Sequence, residues 1–147
     1  MTHRTHVTIL IGESGSGKST WAKQNRPGAI VCSADDYFVT GGVYTFDATL
    51  LPNAHAACLR RFTEAVRDQI SSIVVDNTNT TLVEIAPYIA VAAAYSADVE
   101  VVVMPSMNID TLAGRNVHKV PHHTIKRQRD NIETTLAKWP SFWPMYR

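Results

Sequence analysis

A glycine-rich turn between two ordered segments constrains the fold of this chain more than any other feature. The turn lies within LIGESGSGKSTWAK, residues 10–23, where Gly12, Gly15 and Gly17 precede Lys18. Glycine loses more conformational freedom on folding than any other residue, so three in one short stretch indicate that the backbone approaches something closely. The apolar run before the turn predicts a strand, and the run after it predicts a helix.

The spacing of the turn indicates phosphate binding. Gly12, then four residues, then Gly17, Lys18 and Ser19 satisfy the P-loop pattern in the strand-to-helix setting that this motif requires. Backbone N–H groups turned inward, together with the positive end of the helix dipole, bind phosphate oxygens. The alternative is a glycine-rich turn that matches the pattern by chance.

Two side chains of the loop have specific roles in this pattern. Lys18 is predicted to reach the β- and γ-phosphates of ATP, and the Ser19 hydroxyl to coordinate Mg²⁺, which prefers oxygen ligands. The residues that we assign to nucleotide binding are consecutive in the chain: Gly12, Glu13, Ser14, Gly15, Ser16, Gly17, Lys18, Ser19 and Thr20.

Length and composition are those of one globular domain. The chain has 147 residues, 45% of them apolar and 18% charged, so we assign residues 1–147 to a single domain and exclude a disordered chain. The net charge of +1 gives no overall attraction to nucleic acid or membrane. Cys32 and Cys58 are interpreted as buried free thiols in a reducing compartment. The sequence shows neither a signal peptide nor an apolar run of membrane-spanning length, which favours a cytoplasmic protein.

Short apolar runs alternate with helical stretches, which predicts a three-layer α/β fold with a mainly parallel sheet of four to five strands. The predicted strands cover residues 6–11, 29–32, 72–75 and 98–104, and the predicted helices cover residues 18–25, 53–69, 82–95, 109–116 and 124–138.

Local signals refine two of these predictions. TLVE, residues 81–84, matches a capping box and predicts the start of the third helix, although Pro87 is expected to kink that helix or delay its start. The proline-rich tail WPSFWPMYR, residues 139–147, is expected to pack its aromatic rings along the domain surface instead of forming a helix.

Two carboxylates follow the second predicted strand. Asp35 and Asp36, within CSADDYF, belong at the edge of the sheet where the parallel strands end, beside the P-loop. Asp35 is the predicted general base, which accepts the proton of an attacking hydroxyl. The alternative is that Ser33 and these aspartates only cap a short helix, and one Asp can cap while the other catalyses.

The segment DNTNTT, residues 76–81, follows the third predicted strand in the same way. Asp76 is predicted to orient Mg²⁺ or the acceptor, and Thr78 and Asn79 to hydrogen-bond a substrate. For Asn77 and Thr80 we favour a structural role in a helix-capping loop.

Between these segments lies TGGVYTFD, residues 40–47, which we interpret as a short extended arm. Tyr44 and Phe46 alternate along it and are candidates for stacking on a nucleobase of the substrate. The alternative, that both rings only pin the arm to the core, has equal weight.

The strongest local charge bias lies in GRNVHKVPHHTIKRQR, residues 114–129, which contains no acidic residue. Arg115 and Lys119 flank a predicted lid, where cations would cover the transferring phosphoryl group. Lys126 and Arg129 are interpreted as a solvated helix face or a weak contact with a polyanion. His118 is interpreted as a hydrogen-bond donor near the phosphates, and no structural metal site is predicted.

A P-loop also occurs in motors, GTPases and helicases, but those classes need more chain for their switch or coupling elements. The sequence lacks the Asn-Lys-x-Asp signal of guanine recognition. A compact phosphoryl-transfer kinase that uses ATP and Mg²⁺ is therefore the favoured interpretation.

Four motifs in order, GESGSGKSTWA, ADDYF, VVDNTN and GRNVHKVP, resemble the polynucleotide 5'-kinase-like branch of P-loop kinases. The chain is similar to the kinase domain of the bacteriophage polynucleotide kinase type. It is closer still to the kinase module of a ubiquitin-ligase-binding family that shares the Y-x-F-(D/N) arm and the RN-x-H lid. The resemblance covers about residues 7–132 and implies a P-loop kinase fold with a helical lid at about residues 114–124.

The resemblance also implies a function. It implies transfer of the ATP γ-phosphate to a hydroxyl of nucleic acid, with the 5'-hydroxyl end of DNA or RNA as the favoured acceptor. Asp35 then aligns with the general base and Arg115 with a lid arginine, while Lys119 stands where the family often has a second arginine. Alternatives are a kinase of a small molecule (nucleoside, sugar or antibiotic) or of a hydroxymethylated base in DNA, and a nucleotide-binding interaction module that hydrolyses ATP poorly.

Overall fold

The described part of the chain, residues 4–147 of a computed structural model, contains six strands. They are β1 (His6–Ile11), β2 (Ile30–Cys32), β3 (Val39–Thr40), β4 (Val43–Tyr44), β5 (Ser72–Asp76) and β6 (Asp98–Val103). Four of them form a parallel sheet in the order β2-β5-β1-β6, and β3 and β4 form a separate antiparallel hairpin, here called the arm.

Five α-helices connect the strands: α1 (Lys18–Asn25), α2 (Leu51–Arg67), α3 (Leu82–Ala94), α4 (Ile109–Arg115) and α5 (His122–Ala137). Two short 3-10 helices, Ala34–Phe38 and Ala48–Leu50, precede the arm and α2. Within residues 4–147, no helix has the length and apolar character needed to cross a membrane.

Helices cover both faces of the sheet because successive side chains of a strand point to opposite faces. Val7, Ile9 and Ile11 of β1 belong to the larger core, together with buried residues of α2, α3 and α5. Leu10 points to the other face, where α1 contributes Ala22 to a smaller core. The predicted three-layer α/β fold is therefore confirmed, and its four main strands lie within two residues of their predicted bounds.

The register of the strands aligns the segments that follow them. Leu10 of β1 lies opposite Asp76 of β5, and Cys32 of β2 lies opposite Val75. The P-loop and the segments after β2 and β5 therefore leave the sheet at one edge, where ligand sites of parallel sheets lie.

The predicted capping box starts α3. The Thr81 side chain accepts from the Glu84 backbone N–H at 3.3 Å, and the Glu84 carboxylate accepts from the Thr80 N–H at 2.9 Å. The helix begins at Leu82, so Pro87 within it does not delay the start.

The tail after α5 packs its aromatic rings as predicted. Trp139 contacts Trp143 and Tyr146 edge-on, with ring centroids 5.1 and 5.2 Å apart. The end of the tail pairs with the outer side of β6: Arg147 donates its N–H to Val101 at 3.0 Å and accepts from Val103 at 2.9 Å. Phe142, in contrast, is 85% exposed.

Candidate functional site

A cavity of about 820 Å³ opens at the edge of the sheet where the predicted site residues meet. Its walls are the P-loop with α1, the segments after β2 and β5, the arm, and the loop between α4 and α5, here called the lid loop (residues 116–121). Many predicted site residues line it: Ser14, Gly15, Gly17, Lys18, Ser19, Thr20, Asp35, Asp36, Tyr44, Asp76, Thr78 and Arg115. The cavity has the volume of a small-molecule or nucleotide site.

Lys18 is the central cation of this cavity. Its side chain is largely buried, and its ammonium donates to the carbonyl oxygens of Gly12 and Glu13, each at 3.0 Å. Burial lowers the pKa of Lys18, while the carboxylates of Asp76, Glu13 and Asp35 act in the opposite direction. A poorly hydrated cation held at a loop of backbone N–H groups is suited to bind phosphate oxygens.

Two glycines of the loop are required by its geometry. Gly15 has a φ of +84°, and a Cβ there would lie 2.4 Å from the backbone oxygen of Leu112 in α4. Gly17 precedes α1 with a φ of +92°, and a Cβ there would lie 3.4 Å from the guanidinium of Arg115. Both positions favour glycine, because other L residues rarely adopt a positive φ and because a Cβ would crowd α4 or Arg115. The close backbone approach predicted from the glycines is therefore, in part, an approach to α4 and Arg115.

Arg115 projects from the last turn of α4 toward the P-loop. It lines the cavity, and its guanidinium donates to the sulfur of Met107 at 3.1 Å. This position fits the prediction of a cation above bound phosphates. Lys119, predicted to contribute there too, is exposed, has a φ of +55° and does not line the cavity.

Helix α5 buttresses the P-loop from outside the cavity. The side chain of Gln128 accepts from the Ser14 N–H at 2.9 Å and donates to its hydroxyl at 3.2 Å. Arg129 pairs with the Glu13 carboxylate at 3.5 Å and donates to the carbonyl of Met107. The side chain of Arg129 is only 20% exposed, so its interpretation as part of a solvated face is wrong. Lys126 does lie on an exposed face, paired with Asp130.

Some loop residues assigned to nucleotide binding do not line the cavity with their side chains. Glu13 is 7% exposed and faces Arg129. Ser16 is 2% exposed, and its hydroxyl has no hydrogen-bond partner among the described residues. Gly12 donates its N–H to the carbonyl of Thr78 at 3.1 Å, which ties the loop to the segment after β5.

Ser19 and Asp76 provide an oxygen pair of the kind that Mg²⁺ binds. The Ser19 hydroxyl donates to the Asp76 carboxylate at 2.8 Å, at the cavity wall beside Lys18. A hydroxyl and a carboxylate at one wall fit a hard cation that takes its remaining ligands from phosphates and water. Outside this pair, the structure gives residues 4–147 no cluster of three or more His, Cys, Asp or Glu that could hold a metal.

Asp35 opens into the cavity and contacts both the lid loop and the arm. Its backbone N–H donates to the Ser33 hydroxyl at 3.3 Å, so the predicted cap and an open carboxylate coexist. The carboxylate, 53% exposed, lies 3.6 Å from Nε2 of His118, and the His118 ring stacks on Tyr44 at 4.1 Å. The sequence predicted that His118 lies near the phosphates. The RN-x-H motif drew attention to His118 but gave no indication that Asp35 is its contact.

Asp36 lines the same cavity but is paired elsewhere. Arg61 of α2 donates to its carboxylate at 3.2 Å, in an exposed contact. Asp36 is therefore tied to α2, whereas the Asp35 carboxylate faces the lid loop.

Two predicted substrate contacts are not supported by the structure. Asn79 is 1% exposed, has a φ of +50°, and donates its side-chain N–H to the carbonyl of Leu10 at 2.7 Å, so it holds β1 instead of a ligand. Phe46 does not line the cavity and packs against Phe38, with ring centroids 5.2 Å apart. For Phe46 the contact with Phe38 fits the pinning alternative, with the residue 52% exposed, whereas Tyr44 faces the cavity.

Asn77 and Thr80 have the structural roles that we favoured. The Asn77 side chain accepts from the Ala34 N–H at 2.8 Å. The carbonyl of Thr80 accepts from the Thr135 hydroxyl at 2.7 Å.

Comparison with known proteins gives one family and several relatives. A family model described as an AAA domain matches residues 7–138. NEDD4-binding protein 2 of Homo sapiens is 34% identical over 137 residues, which cover 89% of this chain and 8% of that protein.

Solved structures share the fold. A chain from the structure of the Pnkp1/Rnl/Hen1 RNA repair complex superimposes with a TM-score of 0.75 at 18% identity, over 99% of this chain and 49% of that one. A gluconokinase from Sinorhizobium meliloti superimposes with a TM-score of 0.60 at 16% identity, over 99% and 83%. This chain therefore spans less than a tenth of NEDD4-binding protein 2 and about half of the chain from the RNA repair complex.

Proposed function

The chain belongs to the AAA domain family and is a P-loop kinase-like domain, and from this premise we propose that it transfers the γ-phosphate of ATP to a hydroxyl of nucleic acid. The 5'-hydroxyl end of DNA or RNA is the favoured acceptor. The observation that carries the proposal is that Lys18, Ser19, Arg115 and an open Asp35 carboxylate share the walls of one cavity.

The residues divide the reaction among them. Lys18 and the P-loop amides bind the β- and γ-phosphates, and Arg115 approaches from the lid side with a planar guanidinium that suits paired phosphate oxygens. Ser19 and Asp76 would hold Mg²⁺, which neutralises phosphate charge when bound.

Asp35 acts on the acceptor. Its carboxylate takes the proton of the acceptor hydroxyl as that oxygen forms a bond to the γ-phosphorus. The bond between the γ-phosphorus and the bridging oxygen breaks, and ADP leaves with the electron pair of that bond. General-base catalysis of this kind contributes about 10²–10⁴ in rate.

Two observations support a nucleic-acid acceptor. The fold matches a chain from a complex named for RNA repair, and four motifs of the sequence resemble, in the same order, those of the polynucleotide kinase-like branch. A second candidate is a kinase of a small molecule, which the match to a gluconokinase and the net charge of +1 favour.

An acceptor panel tests the proposal. The protein is incubated with γ-labelled ATP, Mg²⁺ and 5'-hydroxyl DNA or RNA oligonucleotides, beside oligonucleotides with 5'-phosphate ends and a set of nucleosides and sugars. Label on 5'-hydroxyl ends alone supports the proposal. Label on a nucleoside or sugar alone would refute the nucleic-acid acceptor and favour the second candidate, and ATP binding without any transfer would favour an interaction module.

A further inference from the structure

We propose that His118 is a positioning residue for Asp35, with Tyr44 holding the His118 ring, so that lid loop and arm together aim the Asp35 carboxylate at the acceptor hydroxyl. This inference rests on the proposed function, because it assigns a role within that reaction.

The three side chains come from three separate elements. Asp35 lies in the 3-10 helix after β2, Tyr44 in β4 of the arm, and His118 in the lid loop. Nε2 of His118 lies 3.6 Å from the Asp35 carboxylate, and the rings of His118 and Tyr44 stack at 4.1 Å with planes 29° apart. All three line the cavity that also contains Lys18.

The lid loop is built to present His118. The side chain of Asn116, itself 9% exposed, donates to the carbonyl of Val120 at 3.1 Å and accepts from the His118 N–H at 3.1 Å. The left-handed turn at Lys119, with a φ of +55°, lets the chain close this loop. Arg115, Asn116 and His118 of the RN-x-H motif thus cover the P-loop, shape the loop and contact Asp35, respectively.

The arm is equally anchored on its side. Tyr44 pairs with Val39 across the hairpin and packs edge-on against Phe38, which is 5% exposed. Burial raises the pKa of Tyr44, and the negative charge of the nearby Asp35 carboxylate raises it further. The anchored Tyr44 ring therefore gives the His118 ring a fixed surface to stack on.

The exposure of the Asp35 side chain is the reason that it needs a positioning residue. The Asp35 side chain is 53% exposed, so its carboxylate would otherwise sample several rotamers. A separation of 3.6 Å is longer than a hydrogen bond, but such contacts in free enzymes often shorten when substrate is bound. A donor on one carboxylate oxygen leaves the other oxygen free for the acceptor proton.

Three substitutions at one position separate the donor from the ring. His118→Gln places an amide N–H near the position of Nε2, His118→Asn has a shorter side chain that does not reach it, and His118→Phe keeps a ring without a donor. His122→Gln is the matched control, because His122 begins α5 next to the lid loop and pairs with Asp110 outside the cavity.

The measurements are kcat and KM for ATP and for a 5'-hydroxyl oligonucleotide, with the melting temperature of each variant. We expect His118→Phe and His118→Asn to lower kcat by about tenfold or more with KM for ATP unchanged, because misaimed groups lose rate without losing nucleotide binding. We expect His118→Gln to retain most of the kcat and His122→Gln to match wild type. In an Asp35→Asn background, we expect His118→Phe to lower kcat little further, because the two residues act as a unit.

The outcomes are distinguishable. If wild type transfers no phosphate to any acceptor, the proposed function fails and this inference falls with it. If wild type is active and Asp35→Asn is not, but His118→Phe equals wild type, the positioning role alone is overturned. Equal losses in His118→Gln and His118→Asn, in step with lower melting temperatures, would also overturn it and leave His118 a structural residue.

Discussion

Asp35 and Lys18 line the same cavity but differ in how far their charged groups are exposed to solvent. Lys18 is buried and donates hydrogen bonds to two carbonyls of the P-loop. The Asp35 side chain, in contrast, is about half exposed, and its carboxylate lies 3.6 Å from Nε2 of His118. A phosphate-binding cation gains strength from poor hydration, whereas a base must stay accessible to an incoming hydroxyl.

We expect Asp35→Asn to keep ATP binding and to lower kcat by about 10²–10⁴, because an amide cannot accept the hydroxyl proton. ATP affinity by titration calorimetry and single-turnover transfer measure the two parts. The matched control is Asp36→Asn, since Asp36 lies next to Asp35 and is paired with Arg61. Undiminished turnover in Asp35→Asn, with a loss in Asp36→Asn, would move the base to Asp36.

Glu100 of β6, which does not itself line the cavity, makes the stability of the fold depend on pH. Burial alone would raise the pKa of Glu100, but hydrogen bonds from His6, Arg147, Arg26 and Thr8 lower it to about 2 from the ordinary 4.5. A carboxyl whose pKa is lower in the folded state stabilises the fold above its unfolded pKa. This stabilisation is lost as the pH falls through the folded value.

We therefore expect the free energy of unfolding of wild type to fall between about pH 4.5 and pH 2, and Glu100→Gln to flatten that fall. Denaturant unfolding across this range measures it. Asp98→Asn is the control, since Asp98 pairs with Arg4 in a contact where both side chains are more than half exposed, and such pairs contribute little. A fall of the same steepness in Glu100→Gln and wild type would contradict this assignment.

Among the elements, α5 shows where sequence reasoning stopped. The helix was predicted at residues 124–138 and lies at His122–Ala137, but Gln128 and Arg129 contact Ser14 and Glu13 more than a hundred residues earlier in the chain. Periodicity reports which face of a helix is buried and not which loop lies against it. A basic run in sequence therefore gave no sign that one arginine is a support of the P-loop.

We expect Arg129→Met to weaken ATP binding and to lower the free energy of unfolding by about 1–3 kcal/mol, because it removes the arginine paired with the buried Glu13 carboxylate. Arg127→Met on the exposed side of the same helix is the matched control. Nucleotide affinity and denaturant unfolding measure both effects. If the two variants bind ATP equally well, α5 does not support the loop.

At the scale of the whole molecule, local signals predicted the frame of the fold well. Buried parallel strands appear in the sequence as apolar runs, which makes them predictable. Other predictable features lie close to those strands in the sequence: the P-loop, the capping box, Asp35 and Asp76. What could not be predicted depends on tertiary contact: the His118 contact with Asp35, the burial of Asn79 and the packing of Phe46. Each joins segments whose distance in space the chain order does not reveal.

The salt dependence of KM distinguishes a nucleic-acid acceptor from a neutral small molecule. If the acceptor is a polyanion, its binding should weaken steeply with salt, because counterions compete for the cations at the cavity. We expect KM for a 5'-hydroxyl oligonucleotide to rise at least roughly tenfold between 50 and 200 mM salt, while KM for a neutral metabolite stays level. Steady-state rates across this range measure both, and a flat response of the oligonucleotide would argue against phosphate contacts.

The pairing of the tail with β6 has a practical consequence. Arg147 accepts from the Val103 N–H and donates to the Val101 carbonyl, so the tail covers the last residues of β6 on the outer side of the sheet. A bare outer strand is a template for aggregation. Shortening recombinant protein by its final residues would uncover that strand, and insoluble product rather than lost catalysis is the first symptom to expect.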